Sequence, residues 1–178
     1  MIILNKRSLS SCPHKSQINQ PPILESHKQV KKLFKFQKYK QIIFNCERLL
    51  RSHPENALIY YYLGLAHLSL REYTTAIANW TKAIKLNSQY DLAYNQRGQT
   101  YAILGKYFFA FSDLTAAIKI NPKCSEAYFY RALLHHSQKN YELAYADYEN
   151  AIFLDPYNKI ARSNKSIVNR ILTQQALS

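Results

Sequence analysis

The chain repeats itself every 34 residues. The stretches "REYTTAIANWTKAIKLNS" (71–88), "GKYFFAFSDLTAAIKINP" (105–122) and "KNYELAYADYENAIFLDP" (139–156) align without gaps. Tyr73, Tyr107 and Tyr141 therefore recur at one interval, each followed three residues on by Ala76, Ala110 or Ala144. A single closed core has no reason to do this. A period in this range marks supersecondary units stacked on copies of themselves, each burying its apolar face against the next.

Extending the period in both directions gives four units, 23–56, 57–90, 91–124 and 125–158. In the second half of each, Tyr39, Tyr73, Tyr107 and Tyr141 are followed at +3 by Ile42, Ala76, Ala110 and Ala144. Cys46, Trp80, Leu114 and Tyr148 come four further on, and Leu49, Ala83, Ala117 and Ala151 three beyond that. Steps of three, four and three describe one face of a helix. Pro54, Ser88, Pro122 and Pro156 close the units, and proline disfavours helical geometry in the residue before it. The first halves carry a second helical stripe: Tyr60, Leu63, Gly64 and His67, then Tyr94, Arg97, Gly98 and Tyr101, then Tyr128, Arg131, Ala132 and His135. Glycine inside a helix costs about 1 kcal/mol relative to alanine, so Gly64, Gly98 and Ala132 are expected to nest against the alanines of the second helix. In the leading unit Val30 and Leu33 stand where glycine and tyrosine are expected, which makes it degenerate.

This pattern resembles the tetratricopeptide repeat (TPR) family, whose unit is a 34-residue helix–turn–helix. The resemblance implies an all-α, right-handed α-solenoid, here with a C-terminal capping helix at 159–178 whose apolar stripe is Ile160, Ile167 and Ile171. Residues 1–22, polar and rich in serine and proline, are expected to form a disordered basic tail. The family's function is protein binding, so the chain is expected to be a non-enzymatic scaffold or adaptor that holds an extended segment or helix of a partner in a concave groove. In the family, positions two, five, nine and twelve of each first helix turn to that groove. They select Leu58, Tyr61, Leu65 and Leu68, then Leu92, Asn95, Gln99 and Ala102, then Glu126, Phe129, Leu133 and His136. The expected contact set is Leu58, Tyr61, Leu65, Leu92, Asn95, Gln99, Phe129 and Leu133, with the amides pairing a peptide backbone and the apolar side chains holding its substituents. Family members that clamp a chaperone's C-terminal carboxylate place Lys and Asn at the fifth and ninth first-helix positions of the first repeat. Those slots hold His27 and Lys31, or Tyr61 and Leu65 if counted from the next unit, so no such clamp is expected.

Composition narrows the chemistry. Three glycines in 178 residues leave little material for phosphate-binding loops. Cys12, Cys46 and Cys124 are odd in number and widely spaced, against a disulfide framework or zinc site. His67 and His135 share one repeat slot with Tyr101 and are expected to pack rather than ligate. No catalytic, cofactor or metal residues are expected. The longest apolar run, "ALIYYYLGLA", is too short to cross a bilayer.

The formal charge of +13 is uneven: residues 1–54 hold eleven Lys/Arg against two acids, whereas residues 55–154 hold nine against eight. Within the run "HKQVKKLFKFQKYK", Lys31, Lys32, Lys35 and Lys38 read first as the solvated face of the repeat, with contact to an anionic membrane surface or an acidic protein as the functional alternative and nucleic acid as a weaker one. The expected compartment is the cytoplasm. An Ile-, Asn-, Lys- and Tyr-rich composition and the Arg-Gly repeat style also resemble plastid-encoded members that assist photosystem assembly, so the plastid stroma or thylakoid periphery is the alternative, with docking through the basic leading unit.

Overall fold

The computed structural model describes residues 21–177, with side chains from Lys28 onward. Among these residues there are nine α-helices and no strand: α1 (Pro21–Lys35), α2 (Tyr39–Leu50), α3 (Ala57–Ser69), α4 (Tyr73–Leu86), α5 (Asp91–Ile103), α6 (Tyr107–Ile120), α7 (Ser125–Ser137), α8 (Tyr141–Leu154) and α9 (Lys159–Ala176). Helices adjacent in the chain pack on one another from α1 to α4 and from α6 to α9, as in an α-solenoid. The expectation of disorder for residues 1–22 lies outside the described residues as far as residue 20; Pro21 and Pro22 open α1, where a missing N–H costs nothing. The chain divides into two compact units, with the boundary inside α5 after Thr100.

The same turn chemistry recurs at each repeat. Gln37, Arg71, Gly105 and Lys139, spaced by 34, all adopt a left-handed backbone, with φ of 57°, 62°, 70° and 62°. Each ends a first helix, and the N–H of the next residue reaches back five residues: Lys38 to Leu33, Glu72 to His67, Lys106 to Tyr101 and Asn140 to His135, at 2.9–3.0 Å. This closes the orphan carbonyls of the helix end. The connections between repeats use a different device. Asn87, Asn121 and Asp155 leave the helix in extended geometry. Their side-chain oxygens accept from the N–H two residues on, at 3.0–3.1 Å. That Asx turn surrounds the residues Ser88, Pro122 and Pro156 that mark the unit ends in sequence.

In the unit ending at Thr100, α3 packs on α4 and α2, and α1 on α2. Its core centres on Trp80, which is fully buried and donates from Nε1 to the Tyr61 carbonyl at 3.3 Å. A Cβ added to Gly64 would lie 2.3 Å from Trp80 Nε1. The small residue therefore faces the indole, a correction to the expected alanine-on-glycine contact. In the degenerate leading repeat the sizes are exchanged: Val30 and Cys46 hold those two positions in the same core, and burial pushes the Cys46 thiol up to about 12.

In the unit from Tyr101, α7 packs on α8 and α6, and α8 on α9. Ala132, Ala144 and Tyr148 form its core with Ala161 and Val168 of α9. Here a second correction applies. The stripe of α9 that docks is Ala161, Val168 and Leu172, while Ile160 and Ile167 remain 50% and 39% exposed. Ala161 falls 34 residues after Ala127, also fully buried, so α9 keeps the register of a further first helix.

Candidate partner-binding surface

In the unit ending at Thr100, the groove-register side chains of α3 are Leu58, Tyr61 and Leu65. All three are buried, with the Tyr61 ring 5.3 Å from that of Tyr90. On α5, Leu92 is half-buried against the same core. Asn95 and Gln99, one helical turn apart, are 0% and 4% exposed. Both side-chain polar atoms of Asn95 and the Nε2 of Gln99 make no hydrogen bond among the described residues, and neither does Nε2 of the adjacent Gln96. A buried polar group left unpaired costs about 1–3 kcal/mol. Three neighbouring amides of this kind are therefore the chemically unspent groups of this unit. Gln96 is the addition that sequence alone did not suggest, because its place in the 34-residue unit belongs to neither stripe.

In the other unit, Phe129 and Leu133 of α7 are half-buried and packed on the Ala132–Tyr148 core. The Phe129 ring lies 6.2 Å from that of Tyr148, so it has a structural role besides any contact with a partner.

A polar ladder joins successive repeats. The Arg97 guanidinium donates to Thr81 Oγ1 at 2.9 Å. Arg131 donates to Thr115 Oγ1 at 3.3 Å, and Lys165 of α9 to Glu149 at 2.7 Å. Each donor lies 16 residues after its acceptor and 34 after the previous donor. Arg131 also grips Asp147 with two bonds of 2.7 and 2.8 Å. His135 packs edge-on against Phe111 at 4.5 Å, with Nε2 3.9 Å from Asp147. Burial lowers its pKa, Asp147 opposes that shift, and Arg131 adds to it. His67 pairs with Glu72 at 2.5 Å. Among the described residues no three potential ligands gather to hold a metal. Lys31, Lys32, Lys35 and Lys38 are all exposed.

Three family models match the repeats so described: a TPR repeat over 68–105 and tetratricopeptide repeats over 92–124 and 110–159. Together they span residues 68–159, 92 of the 178. The chain belongs to the tetratricopeptide repeat family. A search of curated sequences finds no match. Among solved TPR structures, the chain is 28% identical to the Arabidopsis OM64 TPR domain, with 64% of this chain and 94% of that one covered and a TM-score of 0.62. It is 26% identical to the first TPR of Spaghetti (RPAP3), solved with the HSP90 peptide SRMEEVD, with 66% and 93% covered and a TM-score of 0.63. MamA from Desulfovibrio magneticus shares the TPR fold at 17% identity, with 84% and 85% covered and a TM-score of 0.72.

Proposed function

We propose that this TPR protein is a non-enzymatic scaffold that binds an extended segment of a partner protein along its first-helix stripe. The observation that carries this reading is the trio Asn95, Gln96 and Gln99, buried and with polar atoms unpaired. A peptide backbone offers one donor and one acceptor per residue, the complement that such amides need. Because the trio is buried, a partner pairs with it after local opening of the covering side chains. Leu58, Tyr61, Leu65 and Leu92, in the same unit as the trio, would hold apolar side chains of that segment. The peptide-bound Spaghetti domain supports peptide capture as a use of this fold. Assisting assembly of a membrane complex is one cellular task for such a scaffold.

The chaperone tail is not the ligand proposed here, since Tyr61 and Leu65 fill the clamp slots and are buried. Micromolar binding of an EEVD-ending peptide would sink that part of the reading. The main test compares Asn95→Ala and Gln99→Ala with the wild type, measuring the partner co-purified with the full chain by quantitative mass spectrometry. Each variant is expected to fold normally and to recover the partner at least fivefold less well. Equal recovery by both would remove the stripe as the binding site.

A further inference from the structure

The leading repeat presents a face with a chemistry of its own, sharing no residue with the stripe above. On α1, Lys28, Lys31, Lys32 and Lys35 occupy positions i, i+3, i+4 and i+7 and are all exposed, while Val30, Leu33 and Phe34 turn to the core. On α2, Lys40, Phe44, Arg48 and Arg51 fall on one outward face, opposite the buried Ile42 and Cys46. The turn between the helices adds Phe36 and Lys38. Residues 28–51 thus carry eight basic side chains against one acid, Glu47, which shares the α2 face.

Two large aromatic side chains stand out among these charges. Phe36 is 58% exposed and Phe44 63% exposed, although Phe34 and Tyr39 beside them pack into the core. Lysines alone are a solvated face, and a lone exposed phenylalanine is ordinary. Together they match a surface that is anionic outside and apolar just beneath. Lysine stems extend along such a boundary while their ammonium groups stay at the headgroups, and aromatic rings enter the acyl edge.

We infer that the outward face of α1 and α2 docks on an anionic lipid surface, with Phe36 and Phe44 entering the bilayer interface. Nucleic acid is disfavoured by shape: a single strand needs a basic groove to follow and stacking platforms along it. Here the basic side chains and both rings are spread over the exposed faces of two helices and the turn between them. No helix among the described residues is long and apolar enough to span a membrane, so the contact is peripheral.

Flotation of the full chain with vesicles of phosphatidylcholine containing about a third phosphatidylserine tests this. Binding to these vesicles at low salt is expected, with none to pure phosphatidylcholine and progressive release as salt rises. Each lysine near an anionic surface contributes about fivefold in affinity. The triple variant Lys31→Gln, Lys32→Gln, Lys35→Gln should therefore bind roughly a hundredfold more weakly. Phe36→Ala and Phe44→Ala should each weaken binding several-fold while leaving its salt dependence unchanged. All five positions are exposed, so circular dichroism should match the wild type. Absence of binding at low salt, equal binding to neutral vesicles, or indifference to both phenylalanine changes would overturn the inference. So would tighter retention of a single-stranded oligonucleotide than of the anionic vesicles.

Discussion

Asp147 is a buried carboxylate whose two oxygens are both held by one guanidinium, that of Arg131. Removing the cation alone leaves the charge uncompensated, the costly way to break such a pair. Arg131→Ala is expected to destabilise the chain by about 3 kcal/mol in chemical denaturation. Adding Asp147→Leu should restore part of the loss; equal instability of the single and double variants would show that the pairing is not the cause. His135, beside this pair, gives a pH signature. Burial lowers its folded pKa below the ordinary histidine value. At higher pH both folded and unfolded forms are neutral there, and no penalty exists. As pH falls through about 6.5 the unfolded chain takes up the proton first. Stability is then lost until the lower folded pKa is reached. The melting temperature should fall over that acid window, and His135→Tyr, which installs the residue of the equivalent slot at Tyr101, should flatten the response. An unchanged slope would assign the dependence to another group. The spacing of 16 between Arg131 and Asp147 is visible in the sequence, yet an arginine inside a packing stripe reads there only as a substitution for Leu63. Likewise Asn95 and Gln99 read as accessible because they are polar, and only the packing reveals them as buried.

At the scale of the element, the left-handed turn residue separates good local chemistry from tolerated strain. Only Gly105 suits its backbone; Gln37, Arg71 and Lys139 adopt the same conformation with a Cβ. Such geometry costs a non-glycine residue about 1–2 kcal/mol. Gly105→Ala should therefore lower stability by about 1 kcal/mol, although nothing lies within 4 Å of the added methyl group. Arg71→Gly should raise it by a similar amount, less the entropy glycine adds to the unfolded chain. If thermal unfolding moved in the same direction for both variants, backbone geometry would not be the governing effect. The helices themselves were legible because tyrosine, alanine and glycine recur at helical steps through successive repeats. The docking face of α9 was not. Isoleucines at 160, 167 and 171 signal more apolar area than Ala161 and Val168, but the alanine permits the close approach that the neighbouring helix requires. Ala161 gives the close approach, and Val168 and Leu172 supply the apolar area beside it.

Across the whole molecule, two kinds of chemistry are separated along the chain. Positive charge is concentrated in the leading repeat, while the three better-formed repeats are close to neutral and carry the groove-register side chains. The family was legible from spacing because a repeat states its pattern several times over; the partner was not, because the groove positions vary from unit to unit and follow no period. The unpaired amides of Asn95, Gln96 and Gln99 supply a way around that ignorance. A ligand that completes their hydrogen bonds selectively favours the native ensemble, and selective binding to the native form raises the unfolding temperature with ligand concentration. Thermal scanning against a library of unstructured peptides would thus rank candidates without a pull-down. A parallel scan of Asn95→Leu would act as the counterscreen, since leucine fills the same space and needs no donor or acceptor. Peptides that shift the wild type and not this variant are the sequences to trace back to a cellular protein.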